Sequence, residues 1–400
     1  MKKLLLLGGS RYLIPAIKVA HELGVYVITC DYLPQNIAHR FSDEYHNVSI
    51  VDKEAVLGLA KELKVDGIMS YATDPGVITA AYVAEKMGLP GNPYESVKIL
   101  QNKGLFREFL KDNGFNVPEA RSFTNINEAV TSANLFKWPV IVKPVDSAGS
   151  KGVCRVDDLH ELEAAIKNAL EYSLSKTFII EEFIEKQGAS TDTDSFSING
   201  ELVFCSFNDQ WFDENASNPY TPAAYSWPAT MANESQKDLR KELQRLIHLL
   251  EMKTSIYNIE TRLGVDGKPY IMEMTPRAGG NRLSEILKLA CGQDLVAAAV
   301  RGALGMEVQS LTDPVYNGWW GECILHSNSD GRFHSLQFNN EIKNNIVETD
   351  VWVKAGDYVH KFSGANETIG TLVIRCDTHA ELLEKIKNIG RLVTVITQPE

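Results

Sequence analysis

At 400 residues the chain exceeds the ~250 to 300 that one hydrophobic core usually serves, so two or three domains are expected. A hydrophobic fraction of 44% and a charged fraction of 23% are those of a soluble globular protein able to bury a core. The net charge of −12 excludes a generally basic nucleic-acid or anionic-membrane surface, and no apolar run approaches the ~20 residues of a membrane helix.

The six cysteines, Cys30, Cys154, Cys205, Cys291, Cys323 and Cys376, lack the paired spacings of a zinc site or disulfide framework, so reduced, mostly buried thiols are expected. Met1-Lys2-Lys3 and four leucines begin like a signal peptide. The apolar run breaks at Gly8-Gly9-Ser10-Arg11 with no cleavage site, so a first buried strand and a cytoplasmic chain are expected instead.

Residues 1–98 alternate apolar strands (4–7, 26–30, 67–70) with amphipathic helices (12–23, 54–63, 75–87), the order of a parallel sheet wrapped by helices. Gly8-Gly9-Ser10 at the first turn, with Asp31 ending the second strand, falls short of the full G-x-G-x-x-G dinucleotide spacing. Asp74 and the loop from Gly8 to Arg11 sit at strand C-terminal ends, where open α/β sheets receive ligands.

Residues 99–185 hold two lysines in suggestive settings. Lys103 opens a helix over 103–113 that stops at Gly114, with Pro118 shortly beyond. Lys143 ends the strand Val140-Ile141-Val142 and precedes a loop of small residues, Ser147-Ala148-Gly149-Ser150-Lys151-Gly152, able to aim backbone N–H groups at phosphate oxygens. Taken alone, Lys143 reads as an ordinary surface lysine and the glycine pair as a simple turn. The run from Phe178 to Ile184 drives a strand straight into Glu181-Glu182-Phe183-Ile184. It suits either a strand end with exposed glutamates or a hinge whose backbone meets a purine edge.

Next, residues 194–198 and 201–207 read as a hairpin closed by Asn199-Gly200. Residues 208–230, rich in Trp, Tyr, Asn and Pro, show neither period and are expected to form a long loop. Its Trp211, Phe212, Tyr220, Tyr225 and Trp227 would shape a pocket or cover a core edge. After a helix over 235–252 comes a second hairpin, residues 256–263 and 269–274, for which Asp266-Gly267 suggests a type I′ turn. A symmetrical closure sets Glu260 against Glu273 and Asn258 against Thr275, all on one face with Arg262. Opposed like charges destabilise a sheet unless a cation or a raised pKa relieves them. Mg²⁺ is the simpler relief, since it takes one or two carboxylates beside phosphate oxygens; the alternative is two solvated glutamates neutralised by arginines. The turn Thr275-Pro276-Arg277-Ala278-Gly279-Gly280-Asn281-Arg282 adds two cations where an anion would sit.

Helices follow over 283–291 and 295–304. Residues 311–400 read as a smaller β-rich unit, with strands at 321–327, 331–338, 370–376 and 392–396 and a helix at 378–389. His326 and His334 carry no assigned role.

Together these elements resemble the ATP-grasp superfamily, of the carboxylate–amine ligase type with a biotin-carboxylase-like three-part layout, over essentially the whole chain. The resemblance rests on four ordered elements: Asn102-Lys103 with its helix, Val140 to Val153, Glu181-Glu182-Phe183-Ile184, and Glu260 with Glu273-Met274-Thr275-Pro276-Arg277. It implies a multidomain protein of α/β and α+β class: a Rossmann-like N-terminal domain over 1–98, an ATP-grasp fold over 99–310 with its lid at about 115–185, and a small β-rich C-terminal domain over 311–400.

The resemblance further implies ATP and Mg²⁺, with Mn²⁺ as an acceptable substitute. Lys103 and Lys143 would contact the α- and β-phosphates, and Ser147, Gly149, Ser150 and Gly152 would close over the γ-phosphate. The backbone of Glu181 and Ile184, in a hinge with Glu182 and Phe183, would read adenine. Glu260 and Glu273 would hold the metal, and Arg277 would neutralise an acyl phosphate or its parent carboxylate, with Lys143 and Glu273 completing the catalytic set. Two positions depart from the pattern. Thr275 stands where the family usually has an asparagine ligand, leaving Asn258 as a substitute. The usual ribose-binding glutamate is missing, with Ser190, Thr191 and Asp192 nearby.

The implied reaction joins a small-molecule carboxylate to an amine through an acyl phosphate, with neither nucleic acid nor membrane as partner; a homodimer is compatible with the resemblance. Carboxyphosphate chemistry, as in carboxylases or carbamoyl-phosphate synthesis, is the alternative, although there is no Met-Lys-Met biotinylation site. A regulatory ATP-binding module is the second.

Overall fold

In the computed structural model, which describes residues 1–147, 149–213 and 221–398, the chain opens with a parallel sheet. Its strands β1 (Lys3–Leu7), β2 (Tyr26–Cys30), β3 (Glu44–His46) and β4 (Gly67–Met69) lie in the order β3-β2-β1-β4. Parallel strands covered on both faces need a continuous apolar run. Leu4 and Leu6 enter one apolar cluster, Leu5 and Leu7 the opposite one. The short β3 was absent from the sequence reading, since Glu44-Tyr45-His46 carries no apolar signal. At the C-terminal edge of the sheet, Gly8 adopts φ +112°, and a Cβ there would lie 2.9 Å from Thr73 Oγ1. The first loop and the turn after β4 are therefore packed against each other.

Strands β5 (Ala120–Phe123), β6 (Val140–Pro144), β7 (Cys154–Val156) and β8 (Phe178–Glu182) form a separate antiparallel sheet, order β5-β8-β6-β7. The helix Leu159–Tyr172 buries Leu162, Ala165, Ile166 and Ala169 against it.

Strands β9 (Thr191–Ile198) and β10 (Glu201–Cys205) form the expected hairpin. Asn199 and Gly200 both have positive φ, 51° and 86°, as a type I′ turn requires. The chain then leaves this sheet for β11 (Asp209–Phe212) and β12 (Pro222–Trp227), and returns as β13 (Ser255–Leu263) and β14 (Pro269–Thr275), giving the order β10-β9-β13-β14. The helix Asn233–Leu249 covers the back with Leu239, Leu243, Leu246 and Ile247.

The expectation of an irregular aromatic loop over 208–230 is corrected here. Residues 209–212 and 222–227 pair antiparallel, and β12 continues into the C-terminal sheet. Tyr225 and Trp227 do alternate, and both are buried, but Pro222 and Pro228 at the ends hid the short period. Tyr220 and Ala148 lie outside the described residues.

The remaining strands are β15 (Trp319–Leu325), β16 (Gly331–Phe338), β17 (Ile346–Val351), β18 (Tyr358–Val359), β19 (Gly370–Cys376) and β20 (Val393–Gln398). They make a five-stranded sheet, β11-β12-β15-β19-β17, and a three-stranded one, β18-β16-β20. Two strands from before residue 310 thus complete the C-terminal sheet. All six cysteines are free thiols, and among the described residues no helix is long and apolar enough to cross a membrane.

Candidate active site

The β13–β14 hairpin sets Glu260 directly against Glu273 and Asn258 against Thr275, as expected, but by a different route. Asp266 is not among the residues with positive φ, whereas Gly267 has φ +75°, and Gly264 N–H bonds the Lys268 carbonyl at 2.9 Å. The turn is therefore a three-residue loop ending in a left-handed glycine, not type I′, and near it the register is one residue off: Thr261 faces Ile271. A bulge at Met272 shifts it back before Glu273. The bulge lets Ile271 and Met274, three apart, both face the core while Glu273 turns to the opposite side with Glu260. The Met272 carbonyl accepts Arg107 Nη1 at 2.9 Å.

Each glutamate has a cation beside it. Glu273 Oε2 lies 3.5 Å from Lys103 Nζ, and Glu260 Oε1 3.6 Å from Arg262 Nη2. Burial pushes the Glu260 carboxyl up; Arg262 pulls it back and the opposed Glu273 adds to the rise. Burial acts the same way on Glu273, but Lys103 and Lys143 outweigh it and hold that carboxyl below its ordinary value. Thr275 is 1% exposed, and the Asn258 amide is committed on both sides, accepting Arg277 Nη1 at 3.1 Å and donating to Asp192 Oδ1 at 2.8 Å. Two partly exposed carboxylates thus remain as oxygen donors, a set that fits Mg²⁺ completed by phosphate oxygens. Among the described residues no three acidic, His or Cys side chains cluster to cage a metal alone.

Lys103 starts the helix Lys103–Asp112 because Asn102 caps it, accepting from the N–H groups of Gly104 and Leu105 at 3.0 and 3.1 Å. Its ammonium also donates to the Ser147 carbonyl at 2.9 Å, tying the metal-facing hairpin to the glycine loop. In that loop Gly149, Ser150 and Gly152 all have φ between 57° and 70°. Successive left-handed residues of this kind curve the backbone away from a regular strand. Lys143, on β6, donates to the carboxylate of Glu181 on β8. Arg107 Nε meets the other Glu181 oxygen at 2.9 Å. Burial alone would raise the Glu181 carboxyl, but Arg107 and Lys143 bring it down to about 2; burial lowers Lys143. The sequence reading assigned Glu181 through its backbone and missed Arg107. The signal was there: Arg107 lies four residues after Lys103, on the same helical face.

In the hinge, the N–H groups of Glu182 and Phe183 are given to the carbonyls of Glu119 and Pro139 at 2.9 and 3.0 Å. The Ile184 carbonyl accepts Arg262 Nη1 at 3.0 Å, and the Phe183 ring has the Arg155 guanidinium 4.6 Å from its centre. Ser190, Thr191 and Asp192 are at or just before the start of β9; Ser190 and Thr191 are buried, and Asp192 accepts from Tyr225 Oη at 3.2 Å. Burial, then Glu260, push the Asp192 carboxyl up to about 7.

Arg277 meets Asp74, in the turn after β4, in a two-pronged pair, Nε to Oδ1 at 2.8 Å and Nη2 to Oδ2 at 3.0 Å. Asn281 and Arg282, both left-handed, carry the chain on. Asn281 accepts from Tyr12 Oη at 3.1 Å, and Arg282 pairs with Glu285 at 3.0 Å and Glu348 at 2.6 Å. Behind them Glu322 is fully buried with both carboxyl oxygens unpartnered, and burial raises its pKa well above the ordinary carboxyl range.

The structure thus links Lys103 to Glu273 and the Ser147 carbonyl, and Lys143 through Glu181 and Arg107 to the Met272 carbonyl, with Glu260 opposite Glu273 in the hairpin and Arg277 bonded to Asn258.

Comparison with known proteins agrees with this layout. Residues 136–285 match the family model described as ATP-grasp domain. Among curated proteins, the carbamoyl phosphate synthase large chain of Pseudothermotoga lettingae is 25% identical over 301 residues, covering 74% of this chain and 26% of that protein. The chain spans about a quarter of the length of such relatives. Among solved structures, L-amino acid ligase from Bacillus licheniformis superposes with a TM-score of 0.80 at 23% identity, covering 100% of this chain and 99% of the other. N5-carboxyaminoimidazole ribonucleotide synthetase from Thermotoga maritima superposes with a TM-score of 0.77 at 19% identity over 100% of both chains. Phosphoribosylglycinamide synthetase from Anaerococcus prevotii gives 0.78 at 22% identity, over 99% of this chain and 100% of the other. Residues 136–285 are thus similar to the ATP-grasp domain, and over its whole length the chain shares the fold of these three solved proteins.

Proposed function

We propose that this protein is an ATP-dependent carboxylate–amine ligase that forms an amide through an acyl phosphate, releasing ADP and phosphate. The observation that carries the reading is the opposed Glu260–Glu273 pair with Lys103 3.5 Å from Glu273, beside a second lysine, Lys143, held by Glu181. Mg²⁺, or Mn²⁺ in its place, would be held by Glu260 and Glu273 and supplies charge neutralisation on the phosphate oxygens. Thr275 is at most a supporting neighbour.

In this reading Lys103 and Lys143 bind the α- and β-phosphates. The segment with Ser147, Gly149, Ser150 and Gly152 covers the γ-phosphate and excludes water from the activated acid. The hinge from Glu181 to Ile184 receives adenine, Glu182 and Phe183 flanking it. Arg277 steadies the charge on the acid and its phosphate, so catalysis rests on positioning and neutralisation rather than on a protein nucleophile. The working division is 1–98, 99–310 with a lid at about 115–185, and 311–400, with β11 and β12 lent to the last part. The partners are small molecules in a cytoplasmic setting, and a homodimer is compatible.

The relatives named carbamoyl phosphate synthase favour a second reading, carboxyphosphate formation from bicarbonate. ADP release with Mg²⁺·ATP and mixtures of amino acids and short carboxylic acids, with hydroxylamine as trap, tests the choice. An acyl hydroxamate supports the ligase. Turnover stimulated only by bicarbonate supports the second reading, and nucleotide binding without turnover on the whole panel would leave a regulatory module.

A further inference from the structure

Arg277 has five N–H donors, and four are spoken for. Nη1 serves the Asn258 Oδ1 at 3.1 Å and the Ala278 carbonyl at 2.7 Å, and the Nε–Nη2 edge is taken by both oxygens of Asp74 at 2.8 and 3.0 Å. The edge that recognises carboxylates in two-pronged fashion is thus filled by a carboxylate 203 residues away in the chain. A substrate carboxylate can meet that edge only by taking Asp74's place.

The turn that presents Asp74 is built to hold its position. Ala72 sits at φ +52°, a costly conformation for a residue with a Cβ. Ser70 Oγ donates to the Thr73 carbonyl at 2.5 Å, and Thr73 packs against Gly8. Rotation about the Asp74 side chain, which is 23% exposed, can break the pair while the backbone stays. A displaced Asp74 therefore remains beside the acid that displaced it.

We propose that Asp74 is a catalytic residue of the ligation: the acid substrate's carboxylate replaces it on Arg277, and the freed aspartate binds the ammonium form of the amine substrate. This rests on the ligase reading above. After phosphorylation of the acid, the ammonium gives one proton to Asp74. The amine nitrogen forms its bond to the acyl carbon as the bond from that carbon to the phosphate oxygen breaks, and the second nitrogen proton leaves with the departing phosphate.

The test separates the two half-reactions in wild type, Asp74→Asn and Asp74→Ala, each checked for folding by near-UV circular dichroism and for Mg²⁺·ADP binding. Acids from the amino-acid and short-carboxylate panel are supplied with hydroxylamine for activation, then with an amine panel for ligation; acetate alone probes the Arg277 edge in the presence of Mg²⁺·ADP. With the competing carboxylate removed, acetate binding tightens and the acid KM falls about fivefold or more. Hydroxamate formation persists while amide formation drops about 10²- to 10⁴-fold, the range of a lost general base. Equal loss of both halves, unchanged acid KM and acetate affinity, or failure of both variants to fold overturns the exchange. A wild-type protein that yields no hydroxamate overturns the ligase reading itself, and this inference with it.

Discussion

Arg107 and Glu181 meet at 2.9 Å in a setting where each side chain is only 3% exposed, and the remaining Glu181 oxygen holds Lys143. One buried carboxylate therefore fixes two cations, and one of them, Lys143, lines the phosphate end of the cleft in our reading. Such a triad is weak evidence for stability as a whole, but removing one member strands an uncompensated charge.

Arg107→Ala should cost about 3 to 5 kcal/mol of stability, because Glu181 keeps only Lys143 and the Met272 carbonyl loses its donor. Urea unfolding of the variant checks this. A loss below about 1 kcal/mol, the scale of an exposed pair, would show that the triad is not the buried unit described.

Two carboxyls give opposite pH signatures. Glu181 is held down to about 2, below its unfolded value near 4.5, so its contribution is present above pH ~4.5 and is lost as pH falls towards 2. The stability gap between wild type and Glu181→Gln should shrink across that window. Glu322 is raised, so the native state keeps a proton that the unfolded chain releases, and stability falls as pH rises above ~4.5. Glu322→Gln should therefore melt above wild type at pH 8, with about 1 °C for each kcal/mol recovered, and the gain should vanish at pH 4. Melting curves across pH that show no trend for either variant would contradict the assignments.

Deleting Met272 removes the bulge. The strand then alternates regularly, with Ile271 towards the core and Glu273, now its neighbour, towards the opposite side, so the Thr261–Ile271 and Glu260–Glu273 pairings both survive. We expect Mg²⁺-dependent nucleotide binding to be retained, with stability lowered where Arg107 loses the Met272 carbonyl. Loss of Mg²⁺·ADP affinity in a folded deletion variant would contradict the pairing described, in which Met272 is the extra residue.

Much of this was legible in the sequence because it rests on strong local codes. The alternation around Asn199-Gly200, the capped helix at Lys103 and the opposition of Glu260 to Glu273 follow from turn chemistry and period. The last came out right through two departures that cancel, a turn one residue longer and a bulge at Met272. Arg107, Asp74 as partner of Arg277, and the strand pairing of β12 with β15 were not legible. Each depends on contacts between distant segments, on which local periodicity is silent.

Isothermal titration of ADP with and without Mg²⁺, in wild type and Glu273→Ala, decides whether the opposed glutamates hold a metal. Mg²⁺ should strengthen ADP binding to the wild type, and the variant, folded and still binding metal-free ADP, should lose about tenfold or more of that gain, 1.4 kcal/mol. A variant that binds Mg²⁺·ADP as tightly as wild type would contradict this, leaving the opposed glutamates without a metal to hold.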